Sequence, residues 1–341
     1  MKHKMAVPSP VNWEKINKDL SSCDLLFITA GYEDRSLAFL KRLSREHIQK
    51  LSLIHYVKGL KENEEAFAES IEILRESGVD KHIVTIGFEN KKLDKFVKDI
   101  KTQVFGYEPK IIWADISGLT ASGICCLLFA IRSRWPFAAM KLIYTEALDY
   151  YPSDRELESL FNTEDPNSLE TLPPSLSMEI SETIIPDAFS GVLFPKRPTC
   201  LVLFAGYEKH RSVGVIESIN PSRLVIVYGE PPDPAKGKRL KLSKRLHENL
   251  LNETIRAEEI VSTLNIDESV LLLSEYYDYL YDDHNICISP LCSKMQAVAT
   301  YLFWERYKDV QLAFSLPVHY LPQRASKGVG KIFETNLTAL I

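Results

Sequence analysis

The feature that most constrains this chain is an internal repeat. Residues 30–36 (AGYEDRS) follow one apolar run, and residues 205–212 (AGYEKHRS) follow another, with one additional residue before the Arg-Ser pair. Two further pairs of similar segments occur in the same order, and the three pairs lie 175, 172 and 170 positions apart (206 − 31, 289 − 117 and 322 − 152). Three matches in one order predict a duplicated domain.

The other two pairs extend the repeat across most of the chain. Residues 116–119 (ISGL) correspond to 288–291 (ISPL), and residues 142–152 correspond to 312–322. Between these landmarks, strand-like apolar runs alternate with helix-like segments, a pattern typical of a doubly wound, mainly parallel sheet. The sequence therefore predicts an α/β fold.

We expect two duplicated Rossmann-like domains, at residues 1–152 and 199–341, joined by a Pro-rich connector at 153–198. The carboxyl ends of their strands are expected to line one composite cleft. Within the second copy, the pattern predicts a helix at 253–264 and a strand at 269–273, and the Gly-Lys segment at 326–331 predicts a turn.

Composition narrows the class of protein. A net charge of −5 over 341 residues provides no broad basic field, which argues against sequence-independent nucleic-acid binding but does not exclude a local basic groove. No apolar stretch is long enough to span a bilayer. The six cysteines include no C-x-x-C pair. We therefore expect a cytoplasmic protein with reduced thiols and no membrane partner.

The first repeated motif predicts ligand contacts, because loops at the carboxyl ends of parallel strands form the ligand sites of open α/β sheets. A glycine permits close approach, a tyrosine can stack on a base, an arginine can bind phosphate, and a serine can cap a helix or bind a phosphate at its N-terminus. The candidates are Gly31, Tyr32, Arg35 and Ser36 in the first copy and Gly206, Tyr207, Arg211 and Ser212 in the second. Alternatively, Glu33 and Glu208 pair with the neighbouring arginines as a structural clip.

The second motif is a strand that ends in a small, hydroxyl-rich turn before an apolar helix. Such a turn suits a phosphate or a ribose, although helix capping explains many of the same residues. The candidates are Ser117, Gly118 and Thr120 in the first copy and Ser289, Ser293 and Lys294 in the second. The absence of G-x-x-x-x-G-K-[ST] and of an opening G-x-G-x-x-G disfavours P-loop NTPases and ordinary dinucleotide oxidoreductases.

No motif identifies a catalytic centre. The eight histidines are scattered without metal-ligand spacing, so we predict neither a metal site nor a bound cofactor. Glu33, Asp115 and Glu208 remain candidate catalytic carboxylates, because a general acid or base leaves no spacing signature. A nucleotide- or nucleoside-cleaving enzyme therefore stays open.

The turn at 115–120 (DISGLT) resembles that of CARF domains, the Rossmann-like sensors of cyclic oligonucleotides in prokaryotic immunity, and a tandem of such units resembles the SAVED arrangement. This resemblance implies a sensor or regulatory subunit in antiviral defence. It also implies a nucleotide or cyclic oligonucleotide ligand and a protein effector partner, because the family's usual effector domains are not recognisable in this sequence. A structural subunit of a defence complex is a further alternative.

Overall fold

The computed structural model describes residues 8–44, 50–57, 60–76, 83–103, 108–162, 177–248, 250, 255–322 and 326–337. The chain divides into two compact units. Unit 1 comprises Met1–Tyr150 together with Ala325–Ile341, and unit 2 comprises Tyr151–Arg324. The chain thus leaves unit 1 once and returns to it at its C-terminal end.

Unit 1 is built on a seven-stranded sheet. Its strands are β1 (Ser9–Pro10), β2 (Leu25–Ala30), β3 (Leu51–Tyr56), β4 (Ile83–Phe88), β5 (Ile111–Asp115), β6 (Ala139–Asp149) and β14 (Lys327–Leu337). The order across the sheet is β1-β14-β6-β5-β2-β3-β4. Strands β2 to β6 are parallel, whereas β14 runs antiparallel to β6 and β1 antiparallel to β14. The helices are α1 (Trp13–Leu20), α2 (Ala38–Arg42), α3 (Lys61–Glu76), α4 (Leu93–Gln103) and α5 (Ala121–Arg134).

Unit 2 has a five-stranded parallel sheet and a separate antiparallel pair. Its strands are β7 (Ser177–Ile184), β8 (Thr199–Ala205), β9 (Arg223–Glu230), β10 (Ile255–Ser262), β11 (Asn285–Pro290), β12 (Gln311–Leu312) and β13 (Phe314–Tyr320). The sheet order is β10-β9-β8-β11-β12, and β13 pairs with β7. The helices are α6 (Asp154–Asn162), α7 (Lys209–Ile219), α8 (Lys238–His247), α9 (Ile266–Leu280) and α10 (Lys294–Arg306).

The five parallel strands have the same order in both units. In chain order they run third, second, first, fourth, fifth: β4-β3-β2-β5-β6 in unit 1 and β10-β9-β8-β11-β12 in unit 2. This is the order of the first five strands of a Rossmann-like doubly wound sheet, in which the direction of winding reverses between the first and fourth strands. The predicted α/β class with mainly parallel sheets is confirmed.

The central strands of both sheets are buried along most of their length. Every residue of β2 is buried, as expected for the continuous apolar sequence LLFITA. Helix α5 is apolar almost all round and is buried along most of its length. The sequence predicted an apolar helix after the hydroxyl-rich turn at 115–120, and the structure places the N-cap of α5 at Thr120.

Three local predictions were wrong. The predicted helix at 253–264 is the edge strand β10, which pairs with β9 through eight residues. The predicted strand at 269–273 lies inside α9, whose start is capped by Asn265. The predicted turn at 326–331 opens β14, where Gly328 takes a positive φ of 69°. Strand pairing outweighed the local sequence pattern in the first and third cases, and helix capping outweighed it in the second.

The units also differ from the boundaries expected from the sequence. Strand β14 lies inside the second domain predicted at 199–341 but completes the sheet of unit 1. Strand β7 comes from the predicted connector and pairs with β13 in unit 2. The Pro173-Pro174 pair of that connector lies outside the described residues.

Candidate functional site

The repeated motifs lie at the carboxyl ends of the strands that flank the reversal of winding. In unit 1, Gly31 follows β2 and Ser117 follows β5; in unit 2, Gly206 follows β8 and Ser289 lies at the end of β11. These two edges are where the ligands of open α/β sheets bind. Each edge is therefore a candidate site.

The motif glycines allow two turns to touch. A Cβ atom on Gly118 would lie 2.6 Å from the carbonyl oxygen of Thr29, and one on Gly31 would lie 3.1 Å from the carbonyl oxygen of Gly118. In unit 2, a Cβ atom on Gly206 would lie 2.7 Å from the carbonyl oxygen of Leu291. Because these glycines have no side chain, the backbone of neighbouring segments can approach closely.

Arg35 pairs with Glu33 and so forms the structural clip that the sequence analysis gave as the alternative to ligand contact. Its Nη2 atom lies 2.9 Å from Glu33 Oε2, and the two side chains are 7% and 13% exposed. Its Nη1 atom donates to the hydroxyls of Tyr144 at 3.5 Å and Tyr150 at 3.4 Å. Glu33 also accepts a hydrogen bond from Ser326, at the start of β14. Arg35 is therefore enclosed by its own turn, β6 and the C-terminal segment.

The electrostatics of this cluster follow from its burial. Burial alone would lower the pKa of Arg35, but the charge of Glu33 and the hydroxyls of Tyr150 and Tyr144 reverse the effect, so its pKa is raised. Burial raises the pKa of Tyr144 well above its ordinary value. The guanidinium is permanently charged and the Tyr144 hydroxyl neutral at physiological pH, so the cluster is a fixed polar clamp.

The corresponding clip in unit 2 is more open. Arg211 Nη1 lies 2.9 Å from Glu208 Oε2, and these side chains are 17% and 14% exposed. Its Nη2 atom donates to the carbonyl oxygen of Ser315, on β13, at 2.9 Å. Arg211 thus holds a neighbouring strand through a backbone acceptor and retains partial access to solvent.

Several predicted catalytic or ligand-binding side chains point into the protein. Asp115 is buried and accepts from the Ser117 backbone at 2.9 Å and from the Ser117 hydroxyl. Ser36 donates to the Gly31 carbonyl oxygen. Ser212 donates to Nε2 of His247 at 2.8 Å, because Nδ1 of that ring faces the carbonyl oxygen of Ser243 and must carry the proton. These groups, together with the buried Ser289, shape the turns from inside.

The helix starts of the second motif are capped as expected. Thr120 Oγ1 accepts from the Gly123 backbone at 3.3 Å. Ser293 accepts from the Gln296 backbone at 3.1 Å, and the Gln296 side chain accepts from the Ser293 backbone at 3.1 Å, which completes a capping box. Lys294 is the first residue of α10 and is half-buried.

Among the predicted ligand contacts, the half-buried residues are the ones that a ligand can reach. They are Tyr32, Gly118 and Thr120 in unit 1, and Gly206, Tyr207, Arg211, Ser293 and Lys294 in unit 2. Unit 1 thus offers an aromatic ring and a hydroxyl, whereas unit 2 adds two cations. The two edges are therefore chemically unequal.

Sequence reasoning missed several residues that order these edges. Asn63 Oδ1 accepts from the Tyr32 backbone at 2.9 Å, and Tyr56 donates to the Gly118 carbonyl oxygen at 2.9 Å. Asn90 lies 3.2 Å from Thr120 Oγ1. These residues were not part of the repeated segments, so the repeat could not single them out.

The described part of the chain contains no cluster of three or more histidine, cysteine or acidic side chains suited to a metal ion. Among the same residues, no helix combines the length and the hydropathy needed to cross a membrane.

Comparison with known proteins gives no family. The sequence matches no protein-family model and no curated protein. A structure of phosphoethanolamine N-methyltransferase 1 from Haemonchus contortus, with phosphoethanolamine and S-adenosylhomocysteine, aligns over 95% of this chain and 92% of its own, at 9% identity and a TM-score of 0.22. A keto acid-selecting NRPS module with adenylation, ketoreductase and pseudo Asub domains aligns over 78% of this chain and 26% of its own, at 12% identity and a TM-score of 0.19. Scores this low carry no argument about site or activity.

Proposed function

We propose that this chain is a sensor or regulatory subunit that binds a nucleotide-type small molecule at the carboxyl edges of its parallel sheets. The observation that carries the proposal is the strand-turn-helix unit found at the same place in both sheets, β5 to α5 and β11 to α10, each with a hydroxyl side chain capping the helix. A helix N-terminus at such an edge favours an anion.

Unit 2 provides the better phosphate site. Lys294 opens α10, and Arg211 presents a partly exposed guanidinium from the neighbouring turn of the same sheet edge. Charge-assisted hydrogen bonds from such groups are the usual means of binding phosphate. The half-buried Tyr32 and Thr120 of unit 1 suit a base and a ribose, whereas Arg35 is committed to its clip.

The origin of the two units, the class of ligand and the biological role are inferred mainly from the sequence. We attribute the equal strand orders and the repeated motifs to duplication of one domain. The resemblance of 115–120 to the CARF turn suggests a cyclic oligonucleotide ligand, a protein effector partner and a role in antiviral defence. The candidate carboxylates Glu33, Asp115 and Glu208 are engaged in turn contacts, so binding is favoured over cleavage.

A second candidate function is that of a structural subunit. It is favoured by the buried Glu33–Arg35 clip, which uses the motif of unit 1 to hold β6 and the start of β14. If the motif of unit 2 also served only to hold neighbouring strands, the chain would bind protein partners and no nucleotide.

A binding experiment separates these candidates. Purified protein is denatured and the released small molecules are identified by mass spectrometry; cyclic oligonucleotides and mononucleotides are then titrated by calorimetry. Lys294→Gln should weaken binding about tenfold, the effect of losing one charge-assisted contact of about 1.4 kcal/mol. Lys196→Gln is the matched control, because this exposed lysine precedes the amino end of β8.

Binding that is equal in wild type and Lys294→Gln would place the ligand elsewhere. Failure of every nucleotide in the panel to bind, with the protein folded, would favour the structural subunit. Steady conversion of a nucleotide over many turnovers would favour the enzyme.

A further inference from the structure

Helix α8 has a charge pattern that the proposed function does not use. Its sequence, KRLKLSKRLH, contains five lysine and arginine residues and no acidic residue. Cations are stabilising in the last turn of a helix but unfavourable in the first turn, where the helix dipole is positive. Lys238, Arg239 and Lys241 nevertheless lie in the first turn. The stability of the helix therefore does not account for this pattern.

The outward cations of α8 form one stripe along the helix. At 3.6 residues per turn, four of them fall within a sector of about 120°: Lys238, Lys241, Lys244 and Arg245. Three of the four are exposed and Lys244 is half-buried, whereas the opposite side of the helix is buried at Leu242 and His247. Because a helix rises 1.5 Å per residue, the stripe is about 10 Å long.

Two acidic side chains of α6 compensate the N-terminal end of α8. Glu158 Oε1 lies 3.2 Å from Lys238 Nζ, and Asp154 Oδ1 lies 2.7 Å from Arg239 Nη2. The remaining three cations, which we call the basic face, are Lys241, Lys244 and Arg245. None of them forms an ion pair with a carboxylate of the described residues. The basic face is therefore suited to an anionic partner.

The surroundings of the basic face narrow the class of that partner. The leucines of α8 are buried or half-buried, so the helix has no exposed apolar side chain to insert into a lipid interface. It also carries no aromatic residue, and Tyr228, whose ring centroid lies 5.6 Å from Lys244 Nζ, is buried. Unpaired bases thus have no surface on which to stack. The phosphates of a duplex require only the cations themselves.

We propose that the basic face binds the phosphate backbone of a nucleic-acid duplex without reading its sequence. The stripe of about 10 Å matches about three phosphates of one strand, which follow one another about every 3.4 Å along the duplex axis. Such contacts fix a protein on a duplex but carry no sequence information. The net charge of −5 provides no broad basic field, so binding is restricted to this local stripe and involves few contacts. This surface lies outside the proposed nucleotide site.

Fluorescence anisotropy of the full chain with a labelled DNA duplex of about 20 base pairs tests the proposal. Three phosphate contacts predict a slope of log K against log salt of about −2.7, so raising the salt from about 50 to about 200 mM should weaken binding roughly 40-fold. Lys241→Gln and Arg245→Gln should each flatten the slope by about 0.9 and weaken binding about tenfold at about 50 mM salt. Lys196→Gln, which removes an exposed lysine elsewhere in unit 2, is the matched control and should change neither quantity.

Glu158→Gln provides an arm in which binding should improve. It removes the carboxylate that pairs with Lys238, so we expect a steeper slope and about fivefold tighter binding at about 50 mM salt. Loss of folding cannot produce such a gain. An RNA duplex of equal length is measured in parallel, and binding of either duplex supports recognition of the backbone.

Failure of the folded wild type to bind both duplexes at about 50 mM salt would overturn the proposal. Equal losses in Lys241→Gln and Lys196→Gln would also overturn it, because the effect would then follow net charge and not position. Tighter binding to a single strand or to anionic lipid vesicles would assign α8 to a different partner. Since no free nucleotide is used, these outcomes are independent of the proposed site at the strand ends.

Discussion

Replacement of Arg35 by methionine is the most direct test of the clip in unit 1. Methionine fills much of the volume of the arginine stem but has no charge and no donor. The Glu33 carboxylate, which is 13% exposed, loses its ion pair with the guanidinium but keeps the hydrogen bond from the Ser326 hydroxyl. It also removes the donors to Tyr144 and Tyr150.

The expected loss of stability can be worked from these contacts. Removing one partner of a buried ion pair costs about 3–5 kcal/mol, because the other charge is left uncompensated. The pair is slightly exposed and Glu33 retains a donor, which places the loss near the lower end. We therefore expect Arg35→Met to lower the free energy of unfolding of unit 1 by about 3 kcal/mol.

Tryptophan fluorescence during urea unfolding can report on unit 1 alone. Trp13, Trp113 and Trp135 lie in unit 1, and Trp304 lies in unit 2. A Trp304→Phe background therefore leaves emission only from unit 1. This separation matters because two units need not unfold in one step.

A double-mutant cycle supplies the control. We expect Glu33→Gln to cost about 2 kcal/mol, and the double variant to cost about as much as Arg35→Met alone, which gives a coupling near 2 kcal/mol. A loss below about 1 kcal/mol in Arg35→Met, or strict additivity, would refute the clip as a stabilising feature of unit 1. Unaltered stability together with weaker nucleotide binding would instead restore Arg35 as a ligand contact.

Three further predictions concern turns, caps and thiols. Gly118→Ala should destabilise unit 1 by about 1–3 kcal/mol in urea unfolding, because its Cβ would lie 2.6 Å from the Thr29 carbonyl oxygen, whereas Gly237→Ala, with its nearest atom at 3.2 Å, should cost less. Thr120→Val should cost about 1 kcal/mol through loss of the α5 cap, and Thr120→Ser should restore it; equal stability of both variants would contradict the cap. Burial raises the pKa of the Cys287 thiol to about 12, so its contribution is complete below pH 9 and is lost as pH rises from 9 towards 12. A urea midpoint that falls over that pH range less steeply in Cys287→Ala than in wild type would confirm this contribution, and equal slopes would contradict it.

The sequence predicted the framework better than the roles of its residues. The apolar run of β2 and the hydroxyl turn before α5 are local features, so the strand, the helix and the Thr120 cap could all be read in advance. Strand β10 could not be predicted, because its two adjacent glutamates are typical of the exposed surface of a helix. In the structure, Tyr228 donates to Glu258 and Tyr276 donates to Glu259. Such partners come from distant elements and leave no local signature.

The candidate site was predictable in position but not in orientation. The repeat placed Gly31, Arg35 and Ser117 at the sheet edge, where they are found. It could not show that Ser117 faces Asp115, or that Arg35 faces two tyrosines more than one hundred positions away in the chain. The direction of a side chain depends on what packs against the turn, and here that includes β14 from the end of the sequence.

The position of β14 also has a consequence during synthesis of the protein. Strand β6 pairs with β5 on one side and with β14 on the other, so its second edge stays open until β14 has left the ribosome. At translation rates of about 5–20 residues per second, the delay between β6 and β14 is roughly 10–40 s. Throughout that time an eleven-residue strand edge is available to other chains. Nascent copies on one messenger are therefore exposed to mispairing at β6, and a chaperone that covers this edge would raise the yield of folded protein.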